Sequence, residues 1–554
     1  MQGSNHALRN SVDTPMVDVA IVGGGLAGLT LAIHLRQRNP KLVVHVVERR
    51  AHPVREAAFK VGESTVEIGA HYLAEVLGLR EHLDSCHLRK FGFRFFFSEG
   101  RMDIDRCTEI GVSRVLPTPS WQIDRGRLEN FLGDHAIKLG VRFESGATVR
   151  KIELQDIERH HRIEFDRDGE RRLLTARWVV DASGRAGLLK RKLGLERPNK
   201  HDANGVWWRV TGHIDPNDWS DDVNWLQRCT PPDRWRSTNH MCGPGYWVWL
   251  IPLASGSHSV GIVCDAKMHP LDGMNTHEKA MDWLRRHQPR VAVALAQEKH
   301  ALQDFMFLRD FSYGCAQVFS EQRWAITGEA GFFLDPFYSP GTDFIAIANT
   351  YICDLVERDI GNQPLAARAQ IYQQLFSSFY DNTLPLYEGQ YSLFGDSQVM
   401  PVKVIWDYTY YWALLAPIFF AQRLTDVAAL SRLRDSFAQA REVNLRMQAF
   451  FANWGRCNQA RSFADRPMLD QHEIAWFHEM NRVLADAHND AEFEALIVRN
   501  VRCMCALSKE ILLRGNNVQS AMEREGSFPD SSQRSDSSPD SHLLLQPEWY
   551  ARTA

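Results

Sequence analysis

Val17-Asp18-Val19-Ala20-Ile21-Val22-Gly23-Gly24-Gly25-Leu26-Ala27-Gly28 is the stretch that decides the fold. Its first six residues are mostly apolar and predict a short buried strand. The glycines then fit G-x-G-x-x-G. Gly23 permits a tight turn, Gly25 lets a pyrophosphate approach, and Gly28 lets helix and strand pack. Leu26 to Arg38 has helical spacing, so free N–H groups at a helix start would meet the phosphates. A second strand, Val43 to Val47, ends at Glu48, where a carboxylate can hold a ribose hydroxyl. Strand, glycine loop, helix, strand and acid form a βαβ unit that predicts dinucleotide binding, with Gly23, Gly25, Ala27, Gly28 and Glu48 as contacts. The competing reading is a glycine-rich turn that only packs.

Around this unit lies a chain of 554 residues, long enough for two to four packed units. Hydrophobic residues make up 44%, which excludes wholesale disorder. Lys+Arg 64 against Asp+Glu 68 gives a net charge of −4, without the basic excess of a nucleic-acid binder. Ten Cys are too few for a disulfide scaffold. Cys503 and Cys505 stand without a His ladder, so no metal site is expected. Reduced thiols and a cytoplasmic location are the expectation. Residues 1–15 are polar and read as a flexible leader. No apolar run reaches the length of a transmembrane helix. Tyr410 to Ala421 comes nearest, is interrupted by Pro417, and reads as a buried or pocket-covering helix. Phe91 to Phe97, Ile163 to Phe165 and Trp178 to Val180 read as strands, and Trp247 to Val263 as two strands broken at Ala254-Ser255-Gly256-Ser257. Beyond Asn349 the chain is largely helical to about Leu513. Residues 515–554, rich in Ser, Asp and Pro, read as disordered.

Two further segments point to FAD. Trp178-Val179-Val180-Asp181 runs into Ala182-Ser183-Gly184, and Arg323-Trp324-Ala325-Ile326-Thr327 ends at Gly328-Glu329. Asp335-Pro336 and a turn at Ser339-Pro340-Gly341 follow, opening a helix at Thr342. A carboxylate after a strand can bind a ribityl chain, and a helix start at Gly341 can stabilise negative charge on a reduced flavin ring. This arrangement resembles the p-hydroxybenzoate-hydroxylase-like FAD proteins, which usually carry Gly-Asp where this chain has Gly328-Glu329. No second complete G-x-G-x-x-G is seen for NAD(P)H, so FADH2 is expected from a separate flavin reductase.

Trp247-Val248-Trp249-Leu250-Ile251-Pro252 fits W-x-W-x-I-P, and here the sequence resembles the flavin-dependent halogenases. The likeness runs from about Val17 to about Asn349. The glycine loop, Val61-Gly62-Glu63-Ser64-Thr65, Lys90 with its strand, the Trp motif, and the Asp335–Gly341 turn carry it. The resemblance implies an α/β fold: a Rossmann-like FAD-binding domain over 16–360, with an inserted β-sheet substrate region at about 85–125 and 200–310. A helical C-terminal region over 361–514 follows. It also implies a chemistry. Reduced flavin and O2 form a hydroperoxide, chloride or bromide attacks it, and hypohalous acid passes through a channel to Lys90, which delivers the halogen to an electron-rich carbon. Burial would lower the pKa of such an amine. Periodicity alone gives a blander reading, with Lys90 and Arg94 on the solvated face of a strand opposite Phe91, Phe93, Phe95 and Phe97.

Ser339, Gly341 and Thr342 would hold the halide, and Glu63 would couple the flavin site to Lys90 or simply start a helix with Glu67 near N3. Of Arg125 and Arg127, which precede a helix, one would contact the FAD pyrophosphate; Arg127 is the choice, against a plain surface arginine, with Asp181, Gly328, Glu329 and Asp335 further along the cofactor. Tyr338, Trp247 and Trp249 would wall the substrate pocket. The indole-halogenating branch carries a glutamate where this chain has Tyr338, which argues for a phenolic or pyrrolic substrate, free or carrier-bound. Two other functions compete. One is a flavin monooxygenase of the same fold, indifferent to halide. The other is a non-catalytic flavoprotein that binds a pathway intermediate.

Overall fold

The computed structural model describes residues 16–525 apart from 58, 98–99, 157 and 459–468, with side chains described to residue 513. The leader 1–15 and the tail from 526 onward lie outside the described residues. Residues 515–525, expected to be disordered, instead continue the helix Asp490–Glu525.

Two sheets organise the chain. The first runs in the order Arg142–Ser145, Val44–Glu48, Met16–Val22, Glu170–Asp181, His161–Arg167, Thr148–Glu153, with Trp324–Ile326 also paired to Glu170–Asp181. Its central pairs are parallel, Ile21 lying between Val46 and Val180. The carboxyl ends of Met16–Val22 and Trp324–Ile326 therefore open onto one edge, at Gly23 and Thr327, where open α/β sheets bind their ligands. At Gly28, a Cβ would stand 1.9 Å from the Gly23 carbonyl oxygen, so helix Leu26–Arg38 can approach the strand only without a side chain there.

The second sheet has eight strands: Leu302–Leu308, Ala203–Thr211, Ser257–Asp265, Tyr246–Pro252, Thr238–Gly243, Phe93–Phe97, Thr108–Gly111 and Leu469–Asp470. Its inner strands are buried on both faces, while the edge strand Leu302–Leu308 is largely exposed. Trp207, Trp247, Trp249, Phe93 and Phe95 pack into the main core. Trp208, Val248, Leu250 and Phe96 pack under helices His277–His287 and Pro289–Leu295. Leu469–Asp470 reaches across from the helical region and pairs in parallel with Thr108–Gly111.

The strand carrying the phenylalanines differs from its predicted form. It begins at Phe93, because Gly92 takes φ +67° and turns the chain. Phe91 and Lys90 therefore precede it. Arg94 is buried against Glu109, which also accepts from Arg234 Nε at 2.9 Å, so the predicted solvated face is an internal ion network.

Helices Gly341–Ile360, Ala366–Thr383, Val399–Tyr410, Ala416–Phe420, Arg434–Cys457 and Asp490–Glu525 make up most of the remainder. Tyr411 donates its hydroxyl to Asp343 at 2.7 Å and accepts the Ile68 N–H at 3.0 Å, fixing the aromatic segment over the residues that follow Thr65. Among the described residues, no helix is long and apolar enough to cross a membrane.

Candidate active site

A cavity of about 590 Å³ opens at the carboxyl edge of the first sheet, within the size range of cofactor sites. Gly23, Gly25, Ala27 and Glu48 line one part of it, and Trp247, Trp249, Pro340 and Gly341 another. Glu48 accepts the Gly24 N–H at 2.6 Å and the Arg50 N–H at 2.7 Å, which presents its carboxylate at the cavity wall.

Five cationic residues line the same cavity: Arg49, Arg50, Lys60, Arg125 and Arg185. Arg125 donates to Glu129 at 2.8 Å and to the Val61 carbonyl at 2.7 Å, and its Nε is buried without a partner. Lys60 pairs with Glu129, and burial, with the charges of Arg125 and Arg50, pushes its amine down to about 7. Cationic side chains beside a glycine loop and a helix start suit a diphosphate, so the residues present fit FAD. The arginine expected there, Arg127, points elsewhere: its Nε donates to Glu56 at 2.8 Å outside the cavity. Asp124 caps helix Arg125–Lys138, and two residues of helix turn about 200°, so only one of the two arginines can face the cofactor. Asp181 is likewise not at the cavity. It accepts the Ser183 and Leu189 N–H groups at 3.0 and 2.7 Å, and Ser183 takes the place at the wall. Gly328, Glu329 and Asp335 do line it.

Glu63 and Ser64 form the wall facing Lys90. Burial raises the Glu63 carboxyl, and Arg209 opposes this with donors at 2.8 and 2.6 Å. Arg209 also pairs with Asp304, so Glu63 is anchored. The Lys90 amine is 3% exposed. It donates to Ser64 Oγ at 2.9 Å and to the Thr65 carbonyl at 3.1 Å, and lies 3.3 Å from the Phe93 ring centroid. Burial pushes it down to about 7, against the opposing charges of Glu67 and Asp343. Lys90 is thus one hydroxyl removed from the cavity, with Ser64 belonging to both. His240 lines the cavity nearby, stacked 4.7 Å from Phe95 and tilted 5.0 Å from Trp247, and burial pushes it down to about 3.

Beyond Lys90 the polar groups are buried carboxylates. Glu67 accepts from Asn481 at 3.1 Å, and its second oxygen is buried without a hydrogen-bond partner. Asp343 accepts from Gly69 N and Tyr411, both at 2.7 Å, and burial pushes it up to about 8. Tyr338 donates to Asp407 at 2.8 Å, and Asp407 is held by Lys403 at 2.6 Å and Gln448 at 2.7 Å. Ser339, Gly341 and Thr342 line the cavity at the start of helix Gly341–Ile360, Ser339 taking φ +51° in the turn. Trp247 and Trp249 line it too, their indole N–H groups donating to Tyr391 at 3.0 Å and Ser259 at 3.1 Å.

Sequence reasoning missed Lys60, Ser183, His240 and Asn481, and of the two arginines Arg125 and Arg127 it favoured the wrong one. Arg125 had a usable signal, since Asp124 as N-cap fixes which arginine starts the helix. Asn481 had none, lying 414 residues from Glu67.

Residues 16–306 match the family model described as FAD binding domain. The flavin-dependent halogenase chlA of Dictyostelium discoideum is 25% identical over 439 residues, covering 73% of this chain and 71% of that protein. A 1H-pyrrole-2-carbonyl-(peptidyl-carrier protein) brominase of Pseudoalteromonas luteoviolacea (strain 2ta16) is 24% identical over 344 residues, 62% of this chain and 78% of its own. In fold, the chain resembles the crystal structure of halogenase PltM in complex with phloroglucinol and FAD. The TM-score is 0.61 at 17% identity, over 88% of this chain and 96% of that one. The chain therefore belongs to the FAD binding domain family and, within it, to the flavin-dependent halogenases.

Proposed function

We propose that the protein halogenates an electron-rich phenolic or pyrrolic ring with FADH2, O2 and chloride or bromide. Bound reduced FAD supplies, with O2, the oxidising power that makes halide electrophilic. The chain's own residues do the rest. Arg50, Lys60 and Arg125 hold the diphosphate, and Glu48 the ribose. The Gly341 and Thr342 N–H groups and the Ser339 hydroxyl bind halide, and Trp247, Trp249 and Pro340 keep water from that end. Ser64 and Lys90 take hypohalous acid from the cavity. An amine titrating near 7 can donate a hydrogen bond to it or become a haloamine. Tyr338 offers no free carboxylate, which suits a ring that activates itself through its own oxygen or nitrogen. The relative named for a carrier-bound pyrrole supports a substrate delivered on a carrier protein. A separate reductase supplies FADH2, and ten cysteines with no disulfide among the described residues are in keeping with the reducing cytoplasm.

The observation that carries this reading is the buried Lys90 amine hydrogen-bonded to Ser64 at the cavity wall. Stopped-flow mixing of anaerobic, FADH2-loaded protein with oxygenated buffer tests it. Flavin reoxidation is expected to accelerate with bromide, and Lys90→Ala to keep that acceleration while losing halogen transfer to a phenol probe. Reoxidation that ignores halide, with hydroxylation of the probe, would establish the monooxygenase instead.

A further inference from the structure

Two cavities of this chain meet at a single hydrogen bond. Asp335 lines the large cavity, and His201 lines a second, polar cleft of about 190 Å³. His201 Nε2 donates to Asp335 Oδ2 at 2.7 Å. Both side chains are buried, at 6% and 1% exposure, so the pair spans the wall between the two spaces. Asp335 is held still from two further directions. Its Oδ1 accepts the Phe337 N–H at 2.9 Å, and Tyr391 donates to Oδ2. Tyr391 in turn accepts from Trp247, a wall of the cavity, at 3.0 Å. The imidazole is steadied by aromatic neighbours, Tyr391 at 5.2 Å and Tyr387 and Phe311 at 6.2 Å. Outside it, the cleft is lined by Lys200, Asp202, Asp265 and Lys267, with Lys267 paired to Asp202 at 3.3 Å. Capping a turn needs only the Phe337 bond. A histidine bonded to that carboxylate, with its own cleft behind it, is what a proton path requires.

The proposed reaction creates the demand. Halogenation of a ring RH is RH + X⁻ + FADH2 + O2 + H⁺ → RX + FAD + 2 H2O, so each turnover takes up one proton. We propose that His201 and Asp335 carry protons from the outer cleft into the flavin cavity. His201 Nδ1 takes a proton from cleft water, the imidazolium gives its Nε2 proton to Asp335 Oδ2, and the neutral carboxyl releases it into the cavity. A flip of the neutral ring restores the starting tautomer. His201 never touches the cofactor site and acts through Asp335. The demand from turnover rests on the halogenase reading, but reduction of bound FAD to the flavin anion (FAD + 2 e⁻ + H⁺ → FADH⁻) draws in one proton without it.

That second demand gives the test. FAD-loaded protein is photoreduced by a flash under argon with an amine electron donor (EDTA) and no halide, and proton uptake is followed with a pH-indicator dye against a matched free-FAD control. His201→Gln keeps a hydrogen-bond donor toward Asp335 but cannot accept and pass on a proton at neutral pH. It should slow uptake at least about tenfold, the lower range for a positioned acid–base group, while FAD affinity stays within about threefold. Added imidazole, small enough for the cleft, should restore part of the rate, which a merely structural role would not allow. Ser392 is an exposed residue lining the cleft, and Ser392→Trp in otherwise unchanged protein should also slow uptake, which keeps the proposal open to refutation if the glutamine variant does not fold. Wild-type uptake in either variant, or no recovery with imidazole, overturns the relay. Halide-independent reoxidation beside slowed uptake would overturn the halogenase reading and leave the relay standing.

Discussion

Replacing Lys90 by Met should stabilise the fold, and by an amount that shrinks as pH rises. The amine is 3% exposed and is pushed from 10.5 to about 7, with burial as the main cause. The unfolded chain holds that proton up to 10.5, while the folded chain gives it up near 7. Between those values the unfolded state binds more protons, so wild-type stability gains from each rise in pH. Below 7 both states are protonated and the full cost of burying the charge is present. At about 1.4 kcal/mol per pH unit, the 3.5-unit depression corresponds to roughly 5 kcal/mol at pH 6 and roughly 2 kcal/mol at pH 9. Met fills a similar volume over Phe93 and carries no charge. Ser64 keeps its bond to Thr238 at 2.9 Å, so no hydroxyl is stranded. Urea unfolding of both proteins from pH 6 to pH 9 measures the gap. A stability advantage of Lys90→Met that stays constant or widens across that range would refute the assignment of Lys90 as a desolvated amine. It would also remove the physical basis for its reactivity near neutrality.

Other changes have equally definite outcomes. Gly28→Ala places a Cβ 1.9 Å from the Gly23 carbonyl oxygen, and should abolish FAD binding in a fluorescence titration. Arg125→Ala should weaken FAD binding by about tenfold to a hundredfold, the range for one charge-assisted hydrogen bond, while Arg127→Ala should change it less than about twofold; calorimetric titration separates them. Asp407→Ala leaves the Lys403 amine, 0% exposed, without its counter-charge and should cost about 3–5 kcal/mol in urea unfolding.

What the sequence disclosed follows the reach of local physics. The glycine loop, its flanking strands and Glu48 were readable because spacing within fifty residues encodes them. The flavin end at Gly328 and Gly341 was readable for the same reason. Lys90 was not readable as a buried amine, since periodicity treated Phe91 to Phe97 as one strand and Gly92 breaks it. Burial of Lys90 depends on Ser64, Thr65 and Phe93, and the charges around it on Glu67 and Asp343, which no local pattern joins. Arg127 was chosen over Arg125 for want of the helix phase that Asp124 sets. Asp181 showed its strand end correctly, yet its carboxylate is spent on two N–H groups of its own turn.

The bond from Asn481 to Glu67 also bears on how the chain is made. Every group that lines the FAD cavity lies before residue 346. The roof over Lys90 comes later, with Tyr411 and then Asn481. At roughly 5–20 residues per second, the intervening stretch of chain takes on the order of ten to thirty seconds to emerge. During that interval the groups that cover Lys90 from above are absent. The surroundings of Lys90 are therefore complete only after translation has passed Asn481.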